Sequence, residues 1–265
     1  MGDLPFANKK LGQHWLTDRS ILEAICDAGE VQPEDTVLEI GPGSGTLTEL
    51  LVKQAREVVA VEFDAKLAAA LPGNLGASNL KVVQQDILSF DLTTLPPDYK
   101  VVANIPYYLT SNLIRTLSET TNRAERVVIL IQKEVAERVA AQPGDMSLLS
   151  VSAQFYWEVS LGLEVPARAF TPPPKVDSEL VILKRRVQPL FPGIDVEAFF
   201  RLVKAGFAAR RKTLLNSLSG GLRADKAAIA TVLAETYIQP STRAQRLSLE
   251  QWHVLYMVCR AQNLV

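Results

Sequence analysis

The stretch VLEIGPGSG, residues 37–45, joins a short apolar strand to a glycine-rich loop. Gly41, Gly43 and Gly45 allow the backbone to turn tightly and to approach a ligand without interference from Cβ atoms. Their spacing is Gly-x-Gly-x-Gly, which differs from the Gly-x-Gly-x-x-Gly pattern of dinucleotide-binding proteins. Pro42 also lacks a backbone N–H, so the loop is less suited to a pyrophosphate. The stretch is typical of loops that hold an adenosine cofactor.

Strand and helix patterns alternate around this loop. Apolar runs predict strands at residues 36–40, 57–61, 80–84, 100–103 and 126–131. Helical patterns lie between them, at residues 18–28, 46–55, 64–71 and 110–117. Asp18 is placed to cap the first helix. Because the strands are apolar throughout, they indicate a parallel sheet that is covered by helices on both faces. The predicted fold class is α/β.

The pattern changes after residue 132. Two helices are predicted at residues 133–140 and 147–156, followed by late strands at residues 158–165 and 179–186. Between these strands stands Thr171-Pro172-Pro173-Pro174-Lys175, which no helix interior or central strand would accommodate. It predicts a stiff extended segment, either a connector or a wall of the site.

A domain boundary is predicted near residues 188–193, where prolines and a glycine interrupt the pattern. It divides the chain into residues 1–188 and a small all-helical part, residues 189–265. Helical patterns in the second part lie at residues 196–208, 210–217, 226–235 and 249–261. Ser248 is a suitable N-cap for the last of them.

Two acidic residues end predicted strands near the glycine loop. Glu62 follows the loop by about twenty residues, where an acid can bind both hydroxyls of a ribose. Asp86 ends the next strand and could accept a hydrogen bond from an adenine amine. It could equally cap the helix that follows.

The tetrapeptide Asn104-Ile105-Pro106-Tyr107 directly follows the strand at residues 100–103. The side-chain oxygen of Asn104 and the carbonyl of Ile105 can accept the two N–H bonds of an exocyclic base amine. Pro106 fixes the turn and offers no competing donor, and Tyr107 can stack on the base. With the adenosine cofactor beside it, this turn predicts an enzyme that transfers a methyl group from S-adenosylmethionine to such an amine.

The predicted chemistry needs no strong general base. The methylated ammonium product is acidic and can lose its proton to water, so catalysis would come from proximity, orientation and electrostatic stabilisation. The sequence has neither a Ser/His/Asp nor a paired-carboxylate pattern, and its two cysteines have no companions at metal spacing. We therefore predict no metal. Cys26 and Cys259 are expected to be buried thiols.

The net charge of −1 hides an asymmetry between two parts of the chain. Residues 182–265 contain 13 Lys and Arg against 5 Asp and Glu, a net of +8, whereas residues 1–181 have a net of −9. A basic segment of this kind is either a binding surface for a polyanion or a solvated helical face. No apolar run approaches the ~18 residues that a membrane span needs, and no secretory or transit segment is evident. We expect a cytoplasmic protein without membrane contacts.

The chain resembles the ribosomal RNA adenine N6,N6-dimethyltransferases that act on the small subunit. The resemblance covers almost the full length. It rests on KLGQHWL (residues 10–16), VLEIGPGSG (37–45), VEFD (61–64), DIL (86–88), NIPY (104–107), FTPPPKVDS (170–178) and the segment at residues 207–218. The glycine loop is common to methyltransferases in general. The first segment, the NIPY turn and the triple proline in this order are specific to the family.

The resemblance implies a Rossmann-like catalytic domain with a small helical C-terminal domain, S-adenosylmethionine as co-substrate, and a monomer. It implies transfer of four methyl groups to two adjacent adenines near the 3′ end of the RNA, within a partly assembled small subunit. The positions it assigns to the cofactor are His14, Leu16, Gly41, Glu62, Asp86 and Asn104. His14 stands where the family usually has Asn, so its contact is either through the side chain or through the backbone.

For the RNA, we expect Phe170 to be either the second face of a base sandwich or part of the core. Arg210, Arg211 and Lys212 are candidates for phosphate contacts. Two alternatives share the fold: a methyltransferase that acts on large-subunit rRNA, and an RNA-binding assembly or transcription factor without activity. The triple proline and residues 207–218 favour the small-subunit enzymes over the first, and the complete cofactor positions argue against the second.

Overall fold

The computed structural model of the protein describes residues 11–209 and 211–265. Its helices and strands form two compact units. The first consists of residues up to 137 and residues 157–185, and the second of residues 138–156 and 186–265. The predicted division at residue 188 places residues 138–156 with the sheet, whereas in the structure they pack with the helices of the second unit.

The first unit is built on a seven-stranded sheet with helices. In chain order its elements are β1 (Trp15–Leu16), α1 (Arg19–Gly29), β2 (Thr36–Ile40), α2 (Thr48–Gln54), β3 (Glu57–Glu62), α3 (Ala65–Leu75), β4 (Leu80–Gln84), β5 (Lys100–Asn104), α4 (Thr110–Glu119) and β6 (Arg126–Gln132). Helix α5 (Lys133–Val139) follows, and after α6 (Leu148–Tyr156) come β7 (Trp157–Val165), β8 (Phe170–Thr171) and β9 (Ser178–Arg185). The strand order is β4-β3-β2-β5-β6-β9-β7, and β1 pairs separately with β8.

Five strands of this sheet, β4 through β6 in spatial order, are parallel as predicted. The remaining edge differs, because β9 runs antiparallel to β6 and β7 runs antiparallel to β9. The physical reason is the connection: a parallel neighbour needs a crossover, usually a helix, whereas the proline-rich segment between β7 and β9 returns the chain directly. The predicted fold class is confirmed, and the sheet is mixed.

Local signals place most helices where the sequence predicts them. The Asp18 carboxylate accepts hydrogen bonds from the N–H groups of Ser20 and Ile21 and so caps α1. Ser248 and Gln251 form a reciprocal capping box at the start of α10 (Leu249–Ala261). Both caps satisfy donors that a helix leaves unpaired at its first turn.

The second unit contains α6, α7 (Val196–Phe207), α8 (Leu214–Leu222), α9 (Lys226–Glu235) and α10. Helix α8 begins at Leu214, four residues after the predicted start, because Thr213 is extended and the Lys212 N–H closes a turn on Ala209. Phe155 of α6 stacks on Phe199 of α7, with ring centroids 5.2 Å apart, which explains why residues 138–156 belong here. Among the described helices, none has the length and apolar character to cross a membrane.

Candidate active site

The glycine loop after β2 has a backbone that only glycine adopts readily. Gly41, Gly43 and Gly45 have φ angles of 65°, 57° and 85°. A Cβ on Gly43 would lie 2.5 Å from the Trp15 ring, and one on Gly45 would lie 2.6 Å from Leu71. These close approaches explain why positions 43 and 45 are glycine.

Glu62 holds the loop from the end of the neighbouring strand β3. It is 6% exposed, and its carboxylate accepts hydrogen bonds from the N–H of Gly43 at 3.1 Å and of Asp64 at 2.8 Å. Burial raises the pKa of Glu62, and these backbone hydrogen bonds oppose the increase. The carboxylate therefore fixes the loop geometry at the carboxyl edge of the sheet, where α/β proteins bind ligands.

Two cavities of the first unit open at this edge. The smaller, about 70 Å³, is lined by nine of the ten catalytic, cofactor and base-contact residues that the sequence predicts in this unit: His14, Leu16, Gly41, Glu62, Asn104, Ile105, Pro106, Tyr107 and Phe170. The larger, about 400 Å³, is lined by the tenth, Asp86, together with Phe63, Leu88 and Tyr108. Gly41, Glu62 and Pro106 line both cavities. The predicted residues are thus brought together.

The N-terminal segment lines the smaller cavity and contacts the start of the proline-rich segment. Strand β1 pairs with β8, so that Leu16 lies opposite Phe170. The Nδ1 atom of His14 is 2.6 Å from the carbonyl oxygen of Pro172, and the His14 ring is stacked at 22° to the Tyr107 ring. Residues 171–175 are not among the lining residues of either cavity, so of the two roles open for the proline-rich segment the structure supports the connector. The imidazole of His14 lines the cavity and contacts the proline-rich segment through the Pro172 carbonyl.

The Asn104–Tyr107 turn faces the same cavity from the end of β5. Pro106 directs the chain into a short 3₁₀ helix, Tyr107–Leu109. The Tyr107 hydroxyl lies 2.7 Å from the Ser178 hydroxyl, and burial raises the pKa of this tyrosine. Within residues 11–209 and 211–265, the side-chain amide of Asn104 has no hydrogen-bond partner. The turn therefore presents an amide that no other described residue occupies, beside a ring that is held in place.

The structure places Phe170 in the core and at the smaller cavity, and it shows Asp86 as a helix cap. Phe170 is 3% exposed and belongs to the core of the first unit, and its ring also lines the smaller cavity. Asp86 caps the short helix Ile87–Ser89 by accepting a hydrogen bond from the Leu88 N–H at 3.0 Å. It stands exposed at the larger cavity, where its second oxygen can accept a further hydrogen bond.

A family model described as ribosomal RNA adenine dimethylase matches residues 6–259 of the chain. The chain belongs to the ribosomal RNA adenine dimethylase family. A relative from Dehalococcoides mccartyi, named ribosomal RNA small subunit methyltransferase A, is 43% identical over 95% of this chain and 88% of its own length. A relative of the same name from Bacillus cytotoxicus is 39% identical over 93% of this chain and 89% of its own length.

Solved structures agree with this assignment to the ribosomal RNA adenine dimethylase family. A dimethyladenosine transferase from Plasmodium falciparum superposes with a TM-score of 0.80 at 26% identity, over 94% of this chain and 98% of that one. The 23S rRNA methyltransferase ErmE superposes with a TM-score of 0.74 at 30% identity, over 92% of this chain and 98% of that one. The chain is an rRNA adenine methyltransferase, and its fold is a Rossmann-like methyltransferase domain with C-terminal helices.

In the second unit of this family member, Arg211 and Lys212 lie exposed between α7 and α8. Neither forms an ion pair with another described residue. Arg210 lies outside the described residues.

Among the described residues, no group of three His, Cys, Asp or Glu side chains could hold a metal ion. Cys26 and Cys259 are buried, as predicted, and burial raises the pKa of both thiols to about 12.

Glu39 is a site residue that the sequence reasoning missed. It is 1% exposed, lines the smaller cavity and has one carboxylate oxygen without a hydrogen-bond partner among the described residues. Burial raises its pKa to about 8, and the charge of Glu62 adds to the increase. An acid in the middle of the apolar run Val37–Ile40 was the available signal, because such a residue is rarely buried without a partner.

Glu39→Gln is expected to flatten the pH dependence of stability. Between its ordinary value of 4.5 and about 8, the folded protein keeps the Glu39 proton and the unfolded chain releases it. The wild-type free energy of unfolding therefore falls as pH rises through that window, by on the order of a few kcal/mol. Chemical denaturation without cofactor at a series of pH values measures this change.

The matched control for this measurement is Glu34→Gln, which changes an exposed acid. It is expected to retain the wild-type pH dependence. Parallel curves for wild type and Glu39→Gln would contradict the assignment of a buried proton to Glu39.

Proposed function

We propose that the chain dimethylates N6 of two adjacent adenines near the 3′ end of small-subunit rRNA, within a partly assembled small subunit. The observation that carries the proposal is the amide of Asn104, which has no hydrogen-bond partner in the described part of the chain and shares one cavity with the glycine loop and a fixed Tyr107 ring. An acceptor for an exocyclic amine and a cofactor loop in one cavity suit methyl transfer to a base. The names of the relatives from Dehalococcoides mccartyi and Bacillus cytotoxicus support the small subunit as the substrate.

We propose that S-adenosylmethionine is held by residues at both cavities. Gly41, which lines both cavities, allows close approach of the backbone, and Glu62 would accept hydrogen bonds from the ribose hydroxyls. Asp86 would accept one from the adenine amine. The unpaired oxygen of Glu39 in the smaller cavity supports a hydrogen-bonding group of the co-substrate at that place. His14, Leu16 and Asn104 complete the proposed contacts.

The chain contributes orientation and electrostatics to the transfer. The co-substrate supplies a methyl group on a sulfonium, which is a good leaving group. The Asn104 side-chain oxygen and the Ile105 carbonyl accept hydrogen bonds from the two N–H groups of the adenine N6 amine. The lone pair of N6 is thereby aimed at the methyl carbon. The N–C bond forms as the C–S bond breaks and leaves a neutral thioether. The ammonium then loses a proton to water, and Tyr107 keeps the base from rotating.

The target adenine must leave its stack to reach this turn. Tyr107 offers one aromatic face to it, and Phe170 lines the same cavity. We propose Tyr107 and Phe170 as the two sides of the base pocket. Arg210, Arg211 and Lys212 are proposed to contact phosphates of the RNA, since Arg211 and Lys212 are exposed cations without ion pairs among the described residues. The enzyme is proposed to act as a monomer in the cytoplasm, where its substrate is assembled.

Large-subunit rRNA is the alternative acceptor, because the fold of ErmE is shared over nearly the whole chain. The experiment that decides is incubation of the protein with labelled S-adenosylmethionine and either unmethylated small subunits or large-subunit RNA. Label at N6 of two adjacent adenines of small-subunit RNA is the expected result. Label in large-subunit RNA alone would contradict the proposed acceptor, and no label in either would favour a binding factor without activity.

A further inference from the structure

A cavity of about 280 Å³ lies within the second unit and shares no residue with the two cavities of the active site. Its walls come from the segment before α6, the end of α7 and the turn at Gln245. The Gln245 carbonyl accepts hydrogen bonds from the N–H of Gly144 at 2.9 Å and of Met146 at 3.2 Å, and the Gln245 amide donates to the Gly144 carbonyl. These bonds fix the wall before any ligand binds.

Two cations, Arg138 and Lys212, line this cavity. The Nε atom of Arg138 is buried and has no hydrogen-bond partner in the part of the chain that the structure describes. Neither Arg138 nor Lys212 forms an ion pair with a described residue. Arg138 is partly buried, and a guanidinium donor that is buried without a partner carries a desolvation cost that an anion would offset. The N–H groups of a planar guanidinium are spaced to donate two parallel hydrogen bonds to the oxygens of a phosphate.

The other walls suit a base beside that phosphate. Phe207 is partly buried and lines the cavity together with Leu148, which is exposed. The Trp252 ring lies 5.6 Å from the Phe207 ring and packs against Gly206, so Phe207 is held in place. A fixed aromatic ring beside a cation is the usual arrangement for one unpaired nucleotide of RNA. Asp145 is the single acid among the lining residues and leaves the net charge positive.

We propose that this cavity binds one unpaired RNA nucleotide other than the acceptor adenines, with its phosphate on Arg138 and Lys212 and its base on Phe207 and Leu148. The inference rests on the proposed rRNA substrate, and it adds a second recognition point to the RNA. The volume is close to the lower limit of ligand pockets, roughly 300 Å³, and so favours a single nucleotide over a longer segment.

The test measures the affinity of the full chain for unmethylated small subunits over a series of salt concentrations. Arg138→Gln is expected to weaken binding about tenfold and to reduce the slope of log affinity against log salt by about 0.7 to 1, because one phosphate contact is lost. Arg138→Lys is expected to keep the slope and part of the affinity, because lysine retains the positive charge but lacks the planar guanidinium that donates two parallel hydrogen bonds.

Two other cations serve as comparisons. Arg201→Gln removes an exposed charge on α7 outside the cavity and is expected to bind as wild type does. Arg211→Gln is expected to reduce the slope through its own proposed phosphate contact. Wild-type affinity and slope for Arg138→Gln would overturn the inference, as would an equal loss for Arg201→Gln.

A photo-crosslinking amino acid at Leu148 tests the base contact without changing Arg138. A crosslink to a nucleotide of the small-subunit RNA outside the two acceptor adenines is expected, and absence of any RNA crosslink would overturn the inference. Inorganic phosphate alone tests whether the cavity is only a small-anion site. If phosphate binds tightly at Arg138 and small subunits do not displace it, the inference fails. Methyl label from the wild-type protein reports on the proposed function independently of all these variants.

Discussion

Asn104→Ala is expected to reduce methyl transfer about 10²- to 10³-fold while small-subunit binding remains close to wild type. The side-chain oxygen of Asn104 is the acceptor that holds the target amine, and removal of one positioned hydrogen-bonding group at a reacting centre has effects of this size. Binding is expected to persist because phosphate contacts supply most of the affinity for RNA. Single-turnover methylation and filter binding of the same preparation measure the two quantities.

Asn112→Ala is the matched control, since Asn112 is an exposed asparagine on α4, outside both cavities. It is expected to methylate at the wild-type rate. Wild-type turnover in Asn104→Ala would remove Asn104 from the mechanism. Equal losses of turnover and of RNA binding would instead make Asn104 a general RNA contact.

Glu62→Ala is expected to weaken S-adenosylmethionine binding at least about 100-fold. The substitution removes the proposed acceptor of two ribose hydroxyls, and each hydrogen bond to a charged group contributes about 1.5–3 kcal/mol. It also removes the carboxylate that holds the Gly43 N–H at 3.1 Å, so the loop loses an internal support. Calorimetric titration of the cofactor measures the affinity, and far-ultraviolet circular dichroism checks the fold.

Glu34→Ala removes an exposed acid of the same type and is expected to bind the cofactor as wild type does. Glu62→Gln separates the two roles of Glu62, because an amide retains the size of the side chain but cannot accept at both ends. Unchanged cofactor affinity in a folded Glu62→Ala protein would contradict the ribose role and leave Glu62 as a support of the loop.

Local signals in the sequence were sufficient for most of the sheet and the loop. The run Val37–Ile40 is apolar enough to be a central strand, and the glycines that follow it have the positive φ angles that only glycine adopts readily. Helix caps at Asp18 and Ser248 act within three residues of themselves. Such features depend on neighbours in sequence, and for that reason they could be predicted.

The candidate site was predicted in part from position and in part from resemblance. Glu62 and Asn104 stand at the ends of strands, and parallel strands bring their carboxyl ends to one edge of a sheet, so their proximity followed from the fold class. His14 came from the resemblance alone. Its contact with the Pro172 carbonyl joins residues 158 positions apart, and no pattern within either segment encodes that pairing.

The sequence by itself determined the α/β architecture, the cofactor loop and the Asn104–Tyr107 turn, because strand periodicity, glycine and proline act over a few residues. Only the tertiary structure decided the antiparallel edge formed by β7 and β9, the packing of residues 138–156 with the C-terminal helices, and the burial of Glu39. It also decided that Arg138 and Lys212 line one cavity. Strand pairing, burial and shared cavities depend on which distant segments meet, and that choice is made by packing of the whole chain.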